Sequence, residues 1–220
     1  MLPDLSRRQL LAAIAAGVAA VPLMETNASA ALGAIDPTDP AHVRATMEAW
    51  SDTIVPGARR YPGDRAVAGA TAGPGAVQAG AWTLLNDPDV GIGPGLPALS
   101  SALNTQAVTE AARAGTVLDP TVAPLVALPF ARRTDLAVRL LGGSGPDQVV
   151  WYALAAIATL AFHTAAHLDT ADAVRRGHPG LAWLGFPRPD SDDLWRFPEY
   201  SYGRALARRH PRTTRTGNPA

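Results

Sequence analysis

The sequence predicts an all-α fold, a single-domain helical bundle, and three observations carry that prediction. Apolar residues recur at helical spacing along most of the chain. Pro and Gly clusters divide it into segments of helix length, and no stretch reads as a strand. The first helix opens at Asp39-Pro40, an N-cap acid before a proline at the first helical position. Val43, Met47, Trp50 and Ile54 form its apolar stripe, Arg44 and Glu48 pair one turn apart on another face, and Pro56-Gly57 stops it. A Gly-rich connection leads to a second helix over about Pro74–Leu85, which Asn86-Asp87-Pro88 ends. The third spans about Pro97–Ala114, with Leu99, Leu103, Ala107 and Ala111 on one face and Gly115 as its C′ residue.

A short helix is expected within Pro120–Phe130 and another over about Arg132–Leu141. The longest follows Pro146-Asp147 and is expected to run to about Arg176. Its stretch from Val149 to Phe162 is apolar all round, which predicts a central helix surrounded by others. Each large side chain buried there contributes on the order of 1.5–3 kcal/mol. From Gly177 to Tyr202 the texture changes to proline and aromatic residues, predicting an extended C-terminal wrapping segment. A last short helix over about Tyr200–Arg209 and a polar tail over 211–220 complete a domain expected to occupy residues 31–210.

Residues 1–30 carry a different message. Arg7 and Arg8 precede an apolar run from Leu10 to Leu23, and Ala28-Ser29-Ala30 follows it. As a helix that run would span about 20 Å at ~1.5 Å per residue, short of a ~30 Å hydrocarbon core. A basic start, a short weak core and an Ala-x-Ala site predict a cleavable signal, with cleavage after Ala30. The paired arginines make it a twin-arginine signal, read by the translocase that exports folded proteins. The expected destination is the periplasm, the exterior, or the outer face of the cytoplasmic membrane.

Composition removes many functions. Formal net charge is zero, so nucleic acid is not an expected partner. All 19 basic residues are arginine. Without lysine there is no Walker-type phosphate loop, Schiff base or lysine general base. Without cysteine there is no disulfide, thiolate nucleophile or iron–sulfur ligation.

Few residues remain for chemistry. His163 and His167, four apart on the expected long helix, would share a face as metal ligands, with Asp169 or His178 completing a site. The residues between them supply no protease glutamate, and helix packing is the competing reading. Asp190, Asp192 and Asp193 suit calcium in oxygen chemistry but lack EF-hand spacing, so a solvated turn is expected. Gly142–Pro146 and Gly91–Leu96 approach a nucleophile elbow and a dinucleotide loop, and each fails at its last glycine. Trp183, Phe186, Arg188, Trp195 and Arg196 match the residue types enriched at interface centres and stand as candidates for a partner surface. The alternative for those rings is a lid on the helical core.

Three short motifs carry a family resemblance: Trp50-Ser51-Asp52-Thr53-Ile54-Val55-Pro56-Gly57, Pro74-Gly75-Ala76 and Gly185-Phe186-Pro187. With the twin-arginine signal, they give a chain that resembles subunit 3 of the gluconate 2-dehydrogenase-type membrane dehydrogenases. The resemblance implies a non-catalytic small subunit with no cofactor of its own. It would accompany a large flavin-dependent oxidoreductase of the glucose–methanol–choline type, whose FAD does the chemistry, and supply the export signal for both. The family offers no catalytic residues. The rival expectation is a stand-alone secreted metal-dependent enzyme using His163 and His167, and a secreted binding module ranks third.

Overall fold

A computed structural model describes residues 36, 38–144, 147–191 and 195. Arg7, Arg8, Ala28, Ala30, Arg196, the expected terminal helix and the tail lie outside the described residues. Within them the chain is all-α: α1 (Pro40–Ile54), α2 (Ala81–Leu85), a 3₁₀ turn (Gly93–Gly95), α3 (Leu96–Ala114), α4 (Pro124–Ala127), α5 (Phe130–Gly142), α6 (Gln148–Thr164), α7 (Thr170–Arg175) and α8 (Pro179–Trp183). No strand occurs among them.

Helix α1 begins as the sequence predicts, with the Asp39 carboxylate accepting from Ala41 N at 3.1 Å and Pro40 in the first turn. It is the hub of the bundle, touching α2, α3, α4, α5 and α6. That position explains why Thr46, Glu48, Ser51 and Asp52 are buried beside Val43, Met47 and Trp50. A helix enclosed on most sides must bury its polar residues and then satisfy them. Ser51 returns its hydroxyl to Met47 O at 2.8 Å, and Thr46 bonds His42 O at 3.0 Å. Asn104 of α3 donates to Thr46 Oγ1 (3.1 Å) and accepts from Leu125 N (3.0 Å), tying α1, α3 and α4 together. Leu103, Leu136, Leu154 and Ile157 fill the space between the helices.

The central role expected of the long apolar helix therefore falls to α1. Helix α6 packs on α1, α2, α5 and α8 but leaves Tyr152 and Val149 more than half exposed. It also ends early. Ala165 takes a left-handed conformation (φ 47, ψ 49) and stops α6 at Thr164, well short of Arg176. The second expected helix is shortened for a related reason. Residues 76–80 form one turn closed by a Schellman pair, Ala81 N to Ala76 O (3.0 Å) and Gly80 N to Val77 O (3.2 Å), with Gly80 at φ 87. Only Ala81–Leu85 is α-helix. Helix α3 and its Gly115 cap (φ 61) match the expectation.

Between α1 and α2 lies a long irregular connection, about residues 55–80. Connections of that length need their own anchoring. The two motifs at its ends supply it, for Gly57 and Gly75 meet back to back. A Cβ on Gly57 would lie 2.4 Å from Gly75 N, and one on Gly75 would lie 2.5 Å from Val55 O. Ala76 N bonds Val55 O (3.0 Å) and Ala58 N bonds Gly73 O (2.7 Å) across the junction. Only glycine allows backbones this close.

Candidate functional site

Three places were open to function: the aromatic segment, the histidines, and the polar centre under the 55–80 connection. The aromatic segment is built by the break at Ala165. The chain turns through Leu168 N to Ala165 O (2.8 Å), and Asp169 caps α7 by accepting from Asp172 N (3.0 Å). His178 then caps α8, with Pro179 in the first turn. Gly180 presses on the last turn of α6 so closely that a Cβ would lie 2.0 Å from Phe162 O. The expected wrapping segment thus starts as a short helix, and this close docking is what ends α6.

Beyond it the side chains turn outward. Trp183 is 63% exposed, with its indole against Gly73, and Leu184 and Phe186 are exposed beside it. Gly185 (φ 65) makes the turn between them. Arg188 is exposed as well. Trp195 behaves differently: its Nε1 donates to Pro187 O (2.8 Å), its ring meets Phe186 edge-on at 5.9 Å, and it packs on the small cluster of Ala165, Ala173, Val174 and Leu181. The structure therefore groups Trp183, Phe186 and Arg188 on the surface and gives Trp195 a covering role. Arg196 lies outside the described residues.

His163 and His167 fall on either side of the helix break. His163 is exposed, its Nδ1 is 3.0 Å from Thr159 O, and its ring meets Phe162 edge-on. His167 instead lies against Gly80, with its ring 6.0 Å from that of His178. His178 is buried, with Nε2 3.0 Å from Ala79 O and Nδ1 accepting from Leu181 N at 3.4 Å. Among the described residues no group of three or more His, Cys, Asp or Glu side chains is placed to hold a metal ion.

The polar centre was not legible as a site in the sequence. Asp52 is buried and accepts from Gly57 N (3.1 Å) and Ala68 N (2.9 Å), so the aspartate of the first motif holds both ends of a loop. Burial pushes its pKa up, while those bonds and the nearby Arg133 pull the other way. Glu48 receives Arg44 (2.8 Å) and Arg60 (2.7 Å), and Arg60 also grips Asp64 at 2.6 Å. Burial alone would raise Asp64, but Arg60 and Val67 N hold it below the usual carboxylate range.

Arg133 is 3% exposed and donates to four carbonyls: Leu128 (2.9 Å), Ala66 (2.8 Å), Arg65 (2.9 Å) and Val126 (2.7 Å). Burial pulls its pKa down to about 10. A signal for it existed. Arg133 stands one turn before Leu136 and Ala137 and two before Leu140, on the buried stripe of α5, where an arginine must find internal acceptors.

Fold and site together define a small all-α domain with an outward-facing aromatic segment and a buried arginine–carboxylate centre. Over residues 41–220 the chain matches the family of unknown function DUF5987, and it belongs to that family. No curated protein and no solved structure matches it.

Proposed function

We propose that this chain is an exported, non-catalytic small subunit. It accompanies and steadies a flavin-dependent oxidoreductase of the glucose–methanol–choline type and supplies the twin-arginine signal for the pair. The observation that carries the reading is the Trp183–Arg188 segment. Exposing Trp183, Leu184 and Phe186 on one short stretch leaves apolar surface in water at roughly 25 cal/mol per Å². Clustered aromatics beside an arginine are what a partner's pocket takes up most productively. The signal at Arg7 and Arg8 and the resemblance in the 50–57, 74–76 and 185–187 motifs support the same reading. In it, FAD belongs to the partner, and the chain brings no cofactor of its own.

The test is pairwise replacement of Trp183 and Phe186 by alanine in the tagged full-length chain, purified from its own host. The wild type is expected to bring down a flavin-containing chain in fixed ratio, and the double variant to lose that chain while its own helical signal stays. A wild type that purifies alone and turns over a substrate unaided would overturn the reading.

A further inference from the structure

A cleft of about 390 Å³ opens between the 59–68 stretch and the junction of α4 with α5. We infer that it binds a small organic carboxylate with a flat apolar body. Its polar lining comes from Arg59, Asp64, Arg65 and Arg133, and its apolar walls include Val126, Leu128 and Phe130. Two of the four charges are already matched. Arg65 pairs with Asp119 at 2.7 Å, and Asp64 is held by Arg60. The other two are cations. Arg133 spends four of its N–H groups on carbonyls and has no carboxylate within ion-pairing distance among the described residues.

Arg59 is the recognition group. Its Nε donates to Ala68 O at 3.1 Å, and its stem lies on Gly69, where a Cβ would come within 2.9 Å of Cγ. Gly69 holds a φ of 73, so the backbone there suits glycine on two counts. The side chain is thereby fixed at its root, while its terminal Nη groups make no hydrogen bond or ion pair among the described residues. A planar guanidinium anchored in this way presents a ready fork for a carboxylate. A cleft at the lower end of ligand-pocket size, with apolar sides and a cationic mouth, fits a one-ring acid better than a larger or purely inorganic anion.

The site does not depend on the partner reading, and its failure would leave that reading standing. The probes are benzoate, its neutral counterpart benzamide, and inorganic phosphate, each titrated into the full chain and followed through backbone amide shifts. Benzoate is expected to bind saturably, with shifts concentrated in residues 59–69 and 126–133, and to outcompete phosphate. Arg59→Ala should weaken it about tenfold or more, the loss of one charge-assisted fork. Arg59→Lys should recover part of the affinity, and Arg113→Ala should change nothing. Equal binding of benzamide, stronger binding of phosphate, no saturable benzoate binding, or an unaffected Arg59→Ala variant would each overturn the assignment. Should Arg59→Ala fail to fold, the benzoate and benzamide pair on the wild type decides alone.

Discussion

The clasp around residues 52–75 is built without helix-on-helix packing, whereas the appendage from Ala165 to Trp195 docks α8 on α6, and the two are held very differently. In the clasp, buried charges do the holding. Asp52 and Arg133 reach backbone groups 16 and 67 residues along the chain, Asp64 closes a local turn onto Val67 N, and the Asp64 and Arg133 bonds are buried away from water. In the appendage, the apolar cluster is small (Ala165, Ala173, Val174 and Leu181), and the attachments are the docking of α8 on α6, close glycine contacts and one capping histidine. The first region is locked into the bundle. The second rests on it, with Trp183 and Phe186 outside. A segment meant to meet another chain belongs at the lightly held end, because local opening there does not cost the whole fold.

That contrast can be broken at either end. The largest effect is expected from Arg133→Met, which keeps the stem and removes the guanidinium. Three buried carbonyls and one part-buried one lose their donor at about 1–3 kcal/mol each, so the whole bundle should unfold or lose at least about 4 kcal/mol in urea titration. Next comes Gly180→Ala. Its Cβ would meet Phe162 O, so α8 must lift away. Amide exchange should rise across residues 166–183 while α1, α3 and α5 keep their protection. If the core melts with it, the two regions are one cooperative unit and the contrast is wrong.

A smaller effect is expected from acid. Hydrogen bonds from Thr121, then Arg65, hold Asp119 down to about 2, against an ordinary 3.8. A depressed carboxylate adds stability above its unfolded pKa and loses it as pH falls from about 4 toward 2. Asp64 acts in the same direction and Asp52 in the opposite one, since its raised pKa favours the folded state as pH drops toward 3.8. The stability gap between wild type and Asp119→Asn should therefore be present at neutral pH and close by about pH 2. A gap that is unchanged in acid would show that the ionised Asp119, with its Thr121 and Arg65 bonds, contributes nothing.

Much of the first region's frame was legible in the sequence, and much of the second was not. Asp39-Pro40, the Val43–Ile54 stripe and Gly115 announced α1 and α3 because caps and periodicity are local signals. The break at Ala165 was invisible for the opposite reason. Thr164-Ala165-Ala166 contains no helix breaker, and the turn is imposed by Gly180 arriving from 15 positions later. The histidine pair was misplaced with it: one continuous helix would have put His163 and His167 on one face, whereas tertiary contact sends His167 to His178. The polar clasp escaped because its partners are distant, as with Arg133 and Ala66, 67 residues apart. The aromatic segment was legible only as a choice between a partner surface and a lid, because composition does not say which way a ring faces: Trp183 and Phe186 lie exposed, whereas Trp195 covers the small apolar cluster.

The most direct test of the companion role removes the chain rather than altering it. In the native host, flavin-dependent oxidoreductase activity would be measured in the exported and cytoplasmic fractions, with and without this chain, and again after supplying it with Arg7 and Arg8 both changed to Lys. The account predicts that activity is stranded inside the cell without the chain, returns to the exported fraction with the wild type, and stays inside with the Lys pair. Exported activity that is the same in all three strains would contradict it.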